Sequence, residues 1–248
     1  MSEPLTLSAP GLRLQQLSSV DSTNRVAADA ARAGAAEGLV VVADVQTAGR
    51  GRQGRTWLAP PDCGLTVSLL RRPPVPPAGA WAWTLIAGLA ALDLAPPGAA
   101  WLKWPNDLMV GDRKAAGVLC ELLTTGMELD AVIVGIGLNL SAPDGGWPPP
   151  ISDRTAALGE LDPALRARQV ALDRLCSAFL EIEGMVLRGG TGPLLQAAQA
   201  AMAPMLGRVV TVGARTAQVL GMGHNGALRL ADAAGEFEVL AGDVHLGG

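Results

Sequence analysis

Gln46-Thr47-Ala48-Gly49-Arg50-Gly51-Arg52-Gln53-Gly54-Arg55-Thr56-Trp57 follows directly on the apolar run Leu39-Val40-Val41-Val42-Ala43-Asp44-Val45. Arg50, Arg52 and Arg55 alternate with Gly49, Gly51 and Gly54, a mixture that lets backbone amides and forked cationic side chains approach an anion closely. The stretch also spells two phosphate-loop patterns. The glycines give G-x-G-x-x-G, and Gly49 to Thr56 give a Walker A loop with Arg55 in the lysine position. Both patterns require a helix to start at the last glycine and receive the phosphate on its N-terminus. Here Pro60 and Pro61 follow, and no apolar helical period begins. A dinucleotide site also wants an acidic residue about twenty positions on, where this chain has Leu70-Arg71-Arg72-Pro73-Pro74. Both readings fail on context. What remains is a mobile or extended anion-binding loop at a strand end.

Outward from the loop, the sequence reads as a sheet with helices. Leu12 to Leu17 alternate like an edge strand. Asp21-Ser22-Thr23-Asn24 offers four N-cap residue types before an alanine-rich helix stopped by Gly34. Read alone, this is an ordinary cap; the alternative is that its hydroxyls and amide hold a small polar ligand. Beyond the loop come a strand over Gly64–Leu70, a buried helix over Trp81–Leu92, and two short strands around Pro105-Asn106-Asp107. Arg113 to Leu123 and Leu129 to Leu140 read as a long antiparallel pair. Helical patterns cover Thr155–Glu160 and Pro163 to about Leu187. From 204 on, five short strand-like runs with Gly or Asn-Gly turns predict a small β-barrel, so residues 1–203 and 204–248 are assigned as two domains.

The totals agree. With 49% hydrophobic and 17% charged residues over 248 positions, the chain can bury a sizeable core. A net charge of -4 argues against general affinity for nucleic acid, so the positive charge of the loop is local. Cys63, Cys120 and Cys176 are odd in number and lack CxxC spacing, which predicts a reduced, cytoplasmic protein without disulfides or a metal site. The apolar stretches read as core helices and not as membrane spans. Of 19 basic residues only Lys103 and Lys114 are lysine, so each is a candidate for work that needs a compact ammonium.

The polar clusters are Ser22-Thr23-Asn24, Gln46 with Arg50 and Arg52, Lys103 with Asn106-Asp107, Lys114, and Gly135-Ile136-Gly137-Leu138-Asn139. All lie at strand or helix ends, where pockets form over a rigid sheet. No histidine is near them; His224 and His245 fall in the terminal strands. Without a nucleophile–base pair, the available chemistry is positioning and electrostatic stabilisation by Arg, Lys and backbone amides. That suits transfer at a nucleotide phosphate.

Four motifs in this order resemble the biotin–protein ligases: Gly49 to Arg55 with Trp57, Lys103-Trp104-Pro105-Asn106-Asp107, Lys114-Ala115-Ala116-Gly117-Val118-Leu119-Cys120-Glu121-Leu122, and Gly135 to Asn139. The resemblance covers nearly the whole chain. It implies an α+β fold, with a class II aminoacyl-tRNA-synthetase-like mixed/antiparallel sheet and an SH3-like C-terminal barrel. It also implies that biotin and ATP, with Mg²⁺, give biotinyl-AMP, and that a lysine of the biotin carboxyl carrier protein then takes the biotin. Carried over, Ser22, Thr23, Asn24 and Gln46 hold the ureido group, and Gly117 and Gly137 make room for the ring. Arg50 and Arg52, with amides around Gly49 and Gly51, neutralise carboxylate and phosphate, and Lys114 bridges them. Arg55 and Asn106 lie by the phosphates, Trp57 by the adenine, Asn139 reads its edge, and Asp107 accepts the incoming lysine's proton.

Family members that also repress transcription carry an N-terminal DNA-binding domain. The entry segment here is too short for one, so no DNA partner is expected, and the protein is expected as a monomer or homodimer. Near the C-terminus the family often has a basic residue, where this sequence reads Leu246-Gly247-Gly248. The rival readings are a lipoate–protein ligase or octanoyltransferase, and a nucleic-acid-binding module that uses the Arg/Gly loop as a basic patch.

Overall fold

The computed structural model describes residues 3–149 and 151–246; Gly247 and Gly248, at the terminus considered above, lie outside them. A seven-stranded mixed sheet forms the body. Its strands are β1 (Arg13–Val20), β2 (Leu39–Gln46), β3 (Gly64–Arg71), β4 (Trp101–Lys103), β5 (Asp107–Val110), β6 (Arg113–Thr125) and β7 (Glu128–Asn139), in spatial order β1-β2-β3-β7-β6-β5-β4. Only β1 and β2 run parallel; every other neighbouring pair is antiparallel.

Both faces of the sheet are covered, which explains the continuous apolar runs in its central strands. Val40, Val42, Leu69, Val132 and Val134 face α2 (Trp81–Leu92) and α3 (Arg168–Gly189). Their chain neighbours Val41, Leu70, Ala131 and Ile133 face Ala27, Ala28 and Ala31 of α1 (Thr23–Arg32). Successive side chains of a strand point to opposite faces, so one run serves two cores. Glu183 of α3 is buried yet satisfied: Trp83 donates to it at 2.8 Å and Arg71 at 2.9 Å, joining α2, α3 and β3.

One helical expectation changes. Thr155–Glu160 is no helix: Thr155 bridges Lys114, the amide of Ala156 donates to the Lys114 carbonyl, and only Leu158–Glu160 forms a 3-10 turn. The sequence reading also missed α4 (Gly192–Ala201).

The terminal strands β8 (Val209–Val212), β9 (Arg215–Met222), β10 (Leu228–Asp232), β11 (Gly235–Val239) and β12 (Val244–Leu246) form a second sheet, in order β11-β10-β9-β8-β12. This sheet is open among the described residues, because β11 and β12 are not paired with each other. Its core is shared with the body. Val210, Leu228 and Leu230 pack in one cluster with Trp101, Trp104 and Met109 of the β4–β5 hairpin and with Met202 and Met205.

Candidate functional site

The site lies where the α1 face of the sheet runs past the start of its helix. Toward the middle of α1 that face is Leu70 and Ile133; beyond its N-terminus the same alternation brings up Ser68, Thr66, Gly135 and Gly137. Thr66, Gly137, Gly117 and Asp107 are successive register partners across β3, β7, β6 and β5. Two adjacent glycines in that row leave a trough in the sheet. Trp57 lies in it: a Cβ on Gly137 would stand 2.3 Å from the indole Cε2, and one on Gly117 3.1 Å from its Cζ3. Gly135 makes a second allowance, since a Cβ there would meet Asn24 Oδ1 at 2.1 Å.

Over this floor is a cavity of about 130 Å³ lined at one end by Ser22, Thr23, Asn24, Gln46 and Arg50 and at the other by Arg52, Arg55, Asn106, Asp107 and Lys114. The first end is a closed hydrogen-bond network. Ser22 occupies the N-cap position of α1, but its side chain caps nothing. Gln46 Oε1 accepts from the Thr23 amide at 2.8 Å and the Thr23 hydroxyl at 3.1 Å. The buried Ser68 hydroxyl lies 2.8 Å from Thr23 Oγ1 and donates to Asn24 Oδ1 at 2.6 Å. The Asn24 amide group donates to Glu121 Oε2 at 2.7 Å, and Arg50 donates to the same oxygen at 2.8 Å. Ser22, Thr23 and Asn24 are therefore turned to the site and do not serve as simple caps.

The second end is cationic. Lys114 Nζ stands 2.6 Å from Asp107 Oδ1, an ion pair that is not aligned as a hydrogen bond, and 5.3 Å from the centroid of the Trp57 ring. Arg52 donates to Asn106 Oδ1 at 3.3 Å, and Asn106 donates to the Val118 carbonyl at 2.7 Å. Burial pulls the pKa of Arg52 below its ordinary value; burial does the same to Lys103, which stands beside Asp107 but does not line this cavity. Less hydrated cations bind an incoming anion more strongly. Trp57 Nε1 is buried beside Gly137 with no hydrogen-bond partner.

The Arg/Gly loop is a compact turn and not an extended segment. Arg50 bridges Thr56, the Gly51 amide donates to the Arg55 carbonyl at 2.7 Å, and the Trp57 amide donates to the Gly49 carbonyl at 2.9 Å. Gln53 at φ 54° and Gly54 at φ 73° turn the chain through the left-handed region. Its three arginines are tied to three different walls: Arg50 to Glu121 on β6, Arg52 to Asn106, and Arg55 to Asp243 of the terminal sheet at 2.5 Å.

Most residues singled out from the sequence meet at this cavity, with three corrections. The Gly51 amide is spent inside the loop and is not an anion donor. Gly49 lies behind the cavity, where a Cβ would stand 2.4 Å from the Trp57 carbonyl oxygen; its role is close backbone approach. Asn139 is buried away from the lining and donates to the Lys114 carbonyl at 3.2 Å, so it braces the lysine's strand. Sequence reasoning gave no role to Thr66, Ser68, Gly135, Glu121 or Asp243, although Gly135 and Glu121 lie within its motifs. For Glu121 a signal existed, because period two on β6 puts Gly117, Leu119 and Glu121 on one face. Among the described residues no three His, Cys, Asp or Glu side chains gather to hold a metal. No helix among them is long and apolar enough to cross a membrane.

A model of the biotin/lipoate A/B protein ligase family matches residues 17–139. The biotin--[acetyl-CoA-carboxylase] ligase of Paracoccus denitrificans is 34% identical over 247 residues, covering 94% of this chain and 100% of that protein. The chain belongs to the biotin/lipoate A/B protein ligase family. Another relative, the bifunctional ligase/repressor BirA of Bacillus spizizenii, is 34% identical over 144 residues, or 57% of this chain; the match spans only 44% of that relative's length. The biotin protein ligase of Aquifex aeolicus, solved in complex with biotin and ATP, shares the ligase-family fold at a TM-score of 0.78 and 28% identity, covering 94% of this chain and 98% of that one.

Proposed function

We propose that this ligase-family protein joins biotin to ATP to form biotinyl-5'-AMP and then transfers the biotin to a lysine of the biotin carboxyl carrier protein. The observation that carries the reading is the two-ended cavity over a glycine trough: a neutral hydrogen-bonding end beside a cationic one. The names of the relatives support biotin over lipoate. The engagement of Arg50, Arg52 and Arg55 with the protein's own walls weighs against a nucleic-acid patch.

In this mechanism Ser22, Thr23, Asn24 and Gln46 hold the ureido group; Gly117 and Gly137, expected to make room for the biotin rings, instead seat the Trp57 ring, which forms a wall of the cavity. The carboxylate then points to the cationic end. Two unit charges of like sign 4 Å apart repel by about 1 kcal/mol in water and about 4 kcal/mol near a protein surface. Arg52 and Lys114, with Arg50 on the biotin side, offset that repulsion between carboxylate and α-phosphate. A carboxylate oxygen bonds to the α-phosphorus as the bond to the bridging oxygen breaks, and pyrophosphate leaves. Arg55 and Trp57 belong to the nucleotide side, and Asn106 holds Arg52. In the second step the acceptor amine attacks the carbonyl carbon, the bond to AMP breaks, and Asp107 takes the amine's proton.

Mg²⁺ would enter with the phosphates of ATP, as is usual for that ion; the described residues form no cage of their own, and no step depends on a protein-bound metal. The reading also takes the main sheet as class II aminoacyl-tRNA-synthetase-like, the terminal sheet as SH3-like, residues 1–203 and 204–248 as the two domains, and the protein as a cytoplasmic monomer or homodimer.

Pyrophosphate release is the test. The purified protein with ATP and biotin should release pyrophosphate and then label a carrier domain, whereas ATP with lipoate should give background. Turnover with lipoate alone would end the biotin reading.

A further inference from the structure

Glu121 touches both halves of the neutral end with a single oxygen. Its Oε2 accepts from the Asn24 amide group at 2.7 Å and from Arg50 at 2.8 Å. Asn24 belongs to the first turn of α1 and is buried, held from its other side by Ser68. Arg50 belongs to the loop; besides Glu121 its side chain reaches the Ser22 hydroxyl, at 3.4 Å. Both line the cavity and Glu121 does not. It stands on β6 two residues beyond Leu119, paired across to Ile133, on the same face as the glycine trough.

The geometry points to Glu121 as a positioning residue that fastens the loop to the floor, and so sets how long a ligand stays in the neutral end. This role rests on the biotin reading above for its ligand but not for its physics. Arg50 has one anionic partner among the described residues, and the bond to it is charge-assisted. The Asn24 amide that shares that oxygen is oriented by the same contact. A ligand gripped by Asn24 and Ser22 therefore lies under a loop whose first arginine is tied to its own receptor wall. Because Arg50 and Glu121 are each about a third or more exposed (43% and 32%), salt reaches the tie and weakens it.

The test uses Glu121→Gln in the full chain. Glutamine keeps an oxygen for the Asn24 amide and loses the charge for Arg50. Dissociation of radiolabelled biotin should accelerate about tenfold, the ratio expected for losing one charge-assisted bond, while its association rate changes little. Added salt should speed release from the parent protein and leave the variant's release nearly constant. The midpoint of thermal unfolding should not move, which separates positioning from general damage. Equal release rates with equal salt responses would overturn the role. If the parent binds no biotin, the proposed function fails, and the second arm still decides this inference. In ligand-free protein at low salt, amide exchange over Gly49 to Trp57 should be faster in Glu121→Gln; identical exchange would overturn it.

Discussion

Lys114 has a carboxylate 2.6 Å from its nitrogen, an indole face 5.3 Å away, and the backbone of Gly117 beside its stem. A planar guanidinium is longer, forked and differently hydrated. Lys114→Arg should lower the rate of biotin-dependent pyrophosphate exchange by at least about 100-fold, or about 2.7 kcal/mol of transition-state stabilisation, with an unchanged melting point. Gly137→Ala tests the trough. Its methyl group would overlap the Trp57 ring, and the ring cannot yield as a flexible chain end could. We expect nucleotide binding to weaken by about tenfold, measured by calorimetric titration. At this scale the sequence showed which residues bear charge but not whom they meet. Ser68 reaches Asn24 from 44 positions away, Glu121 reaches Asn24 from 97, and Asp243 reaches Arg55 from 188.

Under the proposed function, the loop is the element that governs release. Its internal ladder would survive Arg52→Gly, because Gly51–Arg55 and Gly49–Trp57 are backbone bonds. The tie to Asn106 would not. Loops that close over ligands are commonly mobile without them, so losing this tie should let the adenylate escape about tenfold faster, as read by filtration of enzyme charged with labelled ATP and biotin. The element boundaries explain what could be read in advance. α2 falls on Trp81–Leu92 as its apolar run predicts, and β6 and β7 span the expected pair. α4 was hidden because Gly189, Gly190 and Gly192 look like punctuation and the helix buries only Leu194 and Ala198. The Thr155 segment has helical composition, but its backbone is claimed by Lys114, a contact no local period can announce.

For the molecule as a whole, alkaline pH offers a measure of core integrity. Burial pushes the Cys176 thiol up to about 12 from 9.0. The native state keeps a proton there that the unfolded chain releases. Its contribution to stability is complete below pH 9 and lost as pH rises toward about 12, at a slope of at most about 1.4 kcal/mol per pH unit. Cys176→Ala should be less stable than the parent at neutral pH through the cavity it leaves. It should also show a flatter stability profile between about pH 9 and pH 11, measured by urea unfolding.

Trp104 gives its indole N–H to the Gly226 carbonyl at 3.0 Å, and its amide meets Met205 sulfur at 3.2 Å. The turn that presents Asn106 and Asp107 is thus upholstered from behind by the terminal sheet. Exchanging that sheet for a foreign module would not be a neutral graft at the periphery. It would strip the backing from the turn that carries Asn106 and Asp107, bare Trp101 and Met109 of the shared core, and remove Asp243 from Arg55, so shuffling at this junction would cost both folding and the shape of the cavity.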